Sequence, residues 1–286
     1  MYKFKPIVKT LIWGKESWVL SGVKGFESVV AEGPMAGKSI RDIWPGEFPL
    51  LIKFIDAHQD LSIQVHPNDE LAAKRHGCNG KTEMWYVIGA TPEAHLYSGL
   101  KKRITPDEYE SRVADGSITE VLANYKVTPG EVFFLPAGRI HAISGGCYIA
   151  EIQQTSDITY RIYDYGRLGL DGKPRQLHVA EAKEAIDYSV EADYRTTYTA
   201  EADRESLLVD CKYFTTSLLD LTKPFSRNID TDFLIVICME GSATVNGSGL
   251  SAGESGLILD EKELAAVPSA AGAKLLTVSS RVRAQK

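Results

Sequence analysis

Short apolar or alternating runs, each closed off by Gly, Pro, Asn or Asp, recur along the whole chain. In the first half they fall at 50–55, 61–65, 84–88, 132–135 and 148–152. After residue 205 they resume at 207–209, 213–221, 233–239, 242–245, 257–259 and 275–278. They are too short for stable helices and rich in β-branched and aromatic residues, so they predict strands. Many short strands at regular spacing predict a mainly β fold of jelly-roll type rather than an α/β fold. At 286 residues the chain is long enough for two such domains.

Helical signals interrupt this pattern in three places. Thr105-Pro106-Asp107-Glu108 joins a capping box to proline at the first helical position, and Ser117-Ile118-Thr119-Glu120 repeats the capping pattern. Two short helices are therefore expected in a small insertion at about 104–124. A third, at about 179–187, follows the polar turn 170–174 and reads as a domain connection. The expected organisation is a first domain over 1–175, a connecting helix and linker over 176–200, and a second barrel over 201–286. A faint repeat supports two related barrels: 127–143 and 250–267 share a Gly-Glu turn before an apolar strand.

Composition narrows the function classes. The net charge is −6 and there is no extended Lys/Arg run, which argues against nucleic acid or an anionic membrane surface as partner. The first residues alternate charged and apolar types and lack the unbroken apolar region of a signal peptide. No stretch approaches the ~20 apolar residues that span a bilayer. The four cysteines, Cys78, Cys147, Cys211 and Cys238, lie far apart with no CxxC pair, and Cys147 and Cys238 read as buried free thiols. The expectation is a cytoplasmic protein.

All six histidines (His58, His66, His76, His95, His141 and His178) precede residue 180. An imidazole-based site is thus confined to the first half, and the second barrel reads as structural. Gln64 and His66 are two apart on a predicted strand and share a face, as do Lys81 and Glu83. His141 follows a Pro-Ala-Gly turn. Two imidazoles and one carboxylate suit a divalent metal, and a Gln carbonyl oxygen can add a neutral fourth ligand. Glu70 rivals Glu83 as the carboxylate, but Pro67-Asn68-Asp69 predicts a helix start that carries Glu70 away. His58, His76, His95 and His178 are expected to be hydrogen-bonded structural residues. Arg161, four positions after Asp157, is either functional or half of a surface ion pair.

The segment Pro129-Gly130 to Pro136-Ala137-Gly138-Arg139-Ile140-His141 resembles the second signature of cupins. The first signature is present in altered form, with Gln64 where a His-x-His pair would begin. More specifically, FPLLIKFIDA (48–57), LSIQVHPND (61–69), KTEMWYVI (81–88) and the Asp157 to Arg161 segment resemble short-form class I mannose-6-phosphate isomerases in the same order. With Trp13-Gly14 and 36–40, the likeness runs from about 1 to 188. It implies two cupin-like jelly-roll barrels and an aldose–ketose isomerase interconverting mannose 6-phosphate and fructose 6-phosphate through a zinc-stabilised enediol(ate). It implies one zinc per chain held by Gln64, His66, Glu83 and His141, catalytic roles for Arg161 and Lys81, and supporting or substrate-binding roles for Glu151 and Asp157. The implied partner is a small sugar phosphate. Two departures stand out. Long-form members carry Tyr two residues after the second ligand His, where this chain has Ile143, and their large helical insertion is missing.

Two other readings fit part of the pattern. Two His plus one carboxylate also describes the iron site of a cupin oxygenase. Gln64 argues against that, because it takes a position that dioxygen or a co-substrate would need. A non-catalytic sugar-phosphate-binding cupin is the other, but it would have no need of Lys81, Glu151, Asp157 and Arg161 beside a complete ligand set.

Overall fold

The computed structural model describes residues 1–280. The protein is mainly β, and the described residues form three sheets of eight, six and five strands. Packing divides the chain into two compact units, neither continuous in sequence: one comprises 8–17 and 53–195, the other 1–7, 18–52 and 196–286. The polar turn 170–174 and the helix after it predict a connection over 176–200. Residues 281–286, the end of the expected second barrel, lie outside the described residues.

In the unit built from 8–17 and 53–195, a five-stranded sheet runs Tyr160–Tyr163, Ile63–Val65, His141–Ile143, His95–Leu100, Leu122–Lys126. The six-stranded sheet places Leu50–Ala57, Cys147–Gln154, Glu83–Ala90 and Val132–Leu135 side by side. Alternation along each strand sends neighbouring side chains to opposite faces. Thus Leu96 and Ile143 of the five-stranded sheet pack with Ile55, Trp85, Val87, Phe133 and Ile149 of the six-stranded sheet in one buried cluster. The other face of the five-stranded sheet, carrying Ile63, Val65, Ala142, Tyr160 and Ile162, is covered by Tyr109, Ile118, Ala182 and Ile186.

Those covering residues come from the helical segments. Pro106–Ala114 begins as its sequence dictates: Thr105 Oγ1 accepts from the Glu108 amide and Pro106 opens the first turn. The second expected helix is only a 3-10 turn, Ile118–Val121. Ser117 does not cap it, because Ser117 Oγ accepts from Arg112 Nη1 instead. The helix Val179–Ala185 packs by Ala182 into this cluster. No helix is long and apolar enough to cross a membrane.

The other unit is organised on the eight-stranded sheet. The runs expected at 233–239 and 242–245 are one strand, Phe233–Val245, and the run at 275–278 is the end of Glu263–Ser279. The two long strands pair with register shifts at Cys238/Glu240 and Gly241/Ala243, which bend the pair without ending it. Gly241 sits at φ 69, and a Cβ there would lie 2.3 Å from the Gly272 carbonyl oxygen, so the bend requires glycine. Leu219, Val236, Cys238, Val245 and Leu275 fill the core of this unit.

Candidate functional site

Three side chains stand in a row across adjacent strands of the five-stranded sheet. Gln64 is directly opposite His141 on one side and Arg161 on the other. Their sequence neighbours Ile63, Val65, Ala142, Tyr160 and Ile162 pack on the helix-covered face, so the period of two turns this row inward. His66 follows immediately after the strand Ile63–Val65, and Glu83 opens the strand Glu83–Ala90 of the six-stranded sheet.

His66, Glu83 and His141 are all buried, and one potential ligand atom from each lies within 4.8 Å of the others. His66 Nε2 is 3.6 Å from Glu83 Oε2, and His141 Nε2 is 3.3 Å from Glu83 Oε1. The tautomers are set by the backbone. His66 Nδ1 donates to the Ile158 carbonyl at 2.9 Å, and His141 Nδ1 donates to the Arg139 carbonyl at 2.7 Å. Each ring therefore turns an Nε2 lone pair toward the carboxylate. His66 Nε2 and both oxygens of Glu83 have no hydrogen-bond partner. A buried acceptor without a partner costs about 1–3 kcal/mol, so three converging on one point call for a cation. The residues present fit a divalent metal bound by two imidazoles and a carboxylate.

Gln64 reaches the same point. Its amide Nε2 is 3.2 Å from His141 Nε2, and an amide flip would offer the carbonyl oxygen there instead. Burial pushes His66 well below the ordinary histidine range, and the nearby Lys81 charge adds to this. Burial likewise lowers His141 to about 4. Both imidazoles are thus neutral, the state a metal ligand needs. Burial and the Glu151 charge raise Glu83 to about 7, against the opposing pull of Lys81.

A layer of charge surrounds the triad. Lys81 Nζ is 3.0 Å from Glu83 Oε2 and 3.8 Å from Glu151 Oε1. The first contact is an ion pair by distance but not by hydrogen-bond geometry, which is why both Glu83 oxygens remain unpartnered. Lys53 Nζ donates to Glu151 Oε1 at 2.9 Å, and Trp85 Nε1 donates to Glu151 Oε2 at 2.9 Å. Burial alone would raise the Glu151 carboxyl, but Lys53 and Lys81 outweigh it and hold the group down at about 2.

Above this layer lies a cavity of about 150 Å³, well beyond the ~10–15 Å³ that a single water requires. Gln64, Lys81, Lys53, Glu151, Asp157 and Arg161 all line it. Arg161 Nε donates to Ser62 Oγ at 3.3 Å and Nη1 to the Gln176 carbonyl at 3.0 Å. Asp157 is an exposed loop residue, and among the described ion pairs Arg161 has no carboxylate partner.

Residues 27–87, which include Lys53, Gln64, His66, Lys81 and Glu83, match the family described as phosphomannose isomerase type I, catalytic domain. The chain is 34% identical to the mannose-6-phosphate isomerase ManA of Bacillus subtilis (strain 168), over 83% of this chain and 85% of that one. The family is type I mannose-6-phosphate isomerase, and this chain belongs to it. A mannose-6-phosphate isomerase of Streptococcus mutans is 30% identical over 80% of this chain and 76% of its own. The crystal structure of the mannose 6-phosphate isomerase from Bacillus subtilis superposes with a TM-score of 0.88 at 28% identity, covering 97% and 98% of the two chains.

The structure gathers the sequence-derived set Gln64, His66, Lys81, Glu83, His141, Glu151 and Arg161 at one place. Asp157 reaches the cavity from its rim. Glu70 is exposed on the helix Asp69–His76, whose first turn Asn68 caps through the Leu71 amide, so it is carried off as its neighbours predict. The remaining histidines are engaged elsewhere. His58 pairs with Asp56 at the surface, His76 contacts the Tyr160 hydroxyl, His95 Nδ1 donates to the Glu93 carbonyl, and His178 Nδ1 accepts from the Arg161 amide. Ile143 is buried and lines the cavity.

Sequence reasoning missed Lys53 and Arg175. Lys53 had a signal, since it is the one charge inside the apolar run 50–55 of a strand buried on both faces. Arg175 had none, because it stands in an irregular polar stretch just after the turn 170–174.

Proposed function

We propose that the chain interconverts mannose 6-phosphate and fructose 6-phosphate with one zinc ion, held by His66, Glu83 and His141 with Gln64 as a neutral fourth ligand. The observation that carries this reading is the convergence of two neutral imidazole Nε2 atoms and an unpartnered buried carboxylate beneath a polar cavity, in a chain of the isomerase family. When bound, the metal supplies Lewis acidity toward the sugar oxygens at C1 and C2. The remaining chemistry is assigned to side chains of this chain.

The proton alpha to a sugar carbonyl is too weakly acidic to leave unaided at neutral pH, so a positioned base must carry it between C2 and C1. Lys81 Nζ faces the cavity beside Glu83 and is assigned that proton. Glu151, anchored by Lys53 and Trp85, lies 3.8 Å from Lys81 Nζ and positions that nitrogen at the cavity. Arg161, with its charge uncompensated by a carboxylate, is set to meet negative charge that develops on the substrate. The other unit, residues 1–7, 18–52 and 196–286, is assigned a structural role, supported by the absence of histidine after residue 178. We also place the protein in the cytoplasm, a reading supported by four free cysteines, two of them buried.

A coupled assay on mannose 6-phosphate, run with metal analysis of the same sample, tests the reading. Turnover that disappears on chelation and returns with zinc, at about one ion per chain, is the expected result. Full turnover after exhaustive chelation, or none in the zinc-loaded protein, overturns it.

A further inference from the structure

The turn 164–167 sets two guanidinium groups on a single carboxylate, with a third close by. Asp164 is buried, and it accepts from Arg175 at two points, Nε to Oδ2 at 2.7 Å and Nη2 to Oδ1 at 2.5 Å. It also accepts from Arg167 Nη2 at 2.7 Å. Tyr165 is held at φ 56 and Gly166 at φ 67, a conformation that a bulky side chain resists. Arg167 secures the turn by stacking over the Tyr165 ring and by donating to the Asp60 carbonyl. The third guanidinium is that of Arg161, whose Nη1 donates to the carbonyl of Gln176, the residue next to Arg175. His178 closes the same clamp, its amide donating to the Arg161 carbonyl at 2.7 Å while its Nδ1 accepts from the Arg161 amide.

Arg161 and Arg175 are thereby brought to one cavity wall. Each is fixed by part of its fork and keeps one nitrogen without a protein partner among the described residues: Nη2 of Arg161 and Nη1 of Arg175. The other cations of the cavity are committed to carboxylates, Lys53 to Glu151 and Lys81 to Glu83. Glu16, Glu151 and Asp157 also line the cavity, but none forms an ion pair with either arginine. Burial lowers Arg161 from its ordinary value, and the Arg175 charge adds to the effect, consistent with like charges held close. Arg175, a fork fixed on one edge by Asp164 and free on the other, suits an anion with several oxygens such as a phosphate monoester.

We propose that Arg175, positioned by Asp164, binds the phosphate of the sugar substrate, leaving Arg161 to the reacting end. This rests on the isomerase reading above for the identity of the sugar, but the anion subsite itself does not. The test uses the full-length zinc-loaded protein and two readouts. In calorimetric titration with inorganic phosphate, Arg175→Gln should weaken binding at least about tenfold, and Arg175→Lys should fall between, because it keeps the charge but loses the fork. In steady-state kinetics, Arg175→Gln should lower the ratio of kcat/KM for mannose 6-phosphate over D-mannose at least about tenfold, with the loss carried by KM. Phosphate affinity unchanged in Arg175→Gln, or an equal loss on phosphorylated and unphosphorylated sugar, overturns the proposal. Absence of turnover in the wild type would sink the isomerase reading alone, since the phosphate titration still decides the subsite. Should Arg175→Gln fail to fold, Arg175→Lys decides it by the same titration, wild-type affinity counting against the fork.

Discussion

Lys53 Nζ and Glu151 Oε1 are 2.9 Å apart, an ion pair buried on both sides and formed between neighbouring strands across 98 positions of sequence. Burying both charges is expensive, and what compensates here is a full set of partners, with Trp85 on the second oxygen of Glu151. Lys53→Met should leave Glu151 charged, buried and short of its main partner, costing about 3–5 kcal/mol. Lys53→Met combined with Glu151→Leu should recover most of that loss, because no orphaned charge remains. Urea denaturation of the three metal-free proteins measures both effects, and a stable single variant would show the pair to be dispensable.

The same pair sets a pH dependence. The Glu151 carboxyl is depressed in the folded protein to about 2, with Lys53 and Lys81 outweighing burial. A group depressed on folding contributes stability above its unfolded pKa and loses it as pH falls through the folded value. Wild-type stability should therefore decline as pH drops from about 4.5, near the unfolded carboxylate value, toward 2. Lys53→Met should flatten that limb, and denaturation midpoints across this range would show an unchanged slope if Glu151 plays no part.

Metal retention should discriminate between the two candidate carboxylates. Glu83→Gln should lose the metal, whereas Glu70→Gln, exposed on its helix, should hold it as the wild type does. Each ~1.4 kcal/mol of lost ligation is tenfold in affinity, so the difference is large enough for elemental analysis after gel filtration. Retention by Glu83→Gln would place the ion elsewhere.

Arg161 is held by Ser62 and the Gln176 carbonyl but has no carboxylate to neutralise it. Loss of an interaction made mainly in the transition state lowers turnover itself. Arg161→Ala should keep fold and metal, yet turn over saturating mannose 6-phosphate at least about a hundredfold more slowly, from a charged-partner loss of ~2–5 kcal/mol. Arg161→Lys should restore little, since an ammonium cannot reproduce the fork. An unchanged kcat with only a raised KM would make Arg161 a binding residue.

In the unit containing 196–286, Ile235 is fully buried within Phe233–Val245. Ile235→Ala should cost about 2–5 kcal/mol in stability while the folded, metal-loaded fraction turns over as before. Thermal melts paired with activity per bound zinc would reveal a catalytic contribution from this unit if specific activity fell.

Sequence alone determined the strand-rich class, the helix starts at Asn68 and Thr105, and which of the candidate polar side chains share a strand face, because each depends on short-range rules. A period of two puts Gln64 beside His66 and Lys81 beside Glu83, and a capped turn removes Glu70 from contention. The family resemblance added Glu151 and gave Arg161 its expected catalytic role. What only the tertiary structure decided involves partners distant in the chain. Whether two short runs are two strands or one bent strand depends on Gly241 meeting Gly272, which no local pattern encodes. Whether Asp157 pairs with Arg161 depended on a loop that leaves the strand, so spacing alone could not settle it. Lys53 and Arg175 reach the cavity through contacts with Glu151 and Asp164. Charge pairing acts over ångströms in space and is indifferent to separation along the chain, so the electrostatics of the site emerge only when the sheets are assembled.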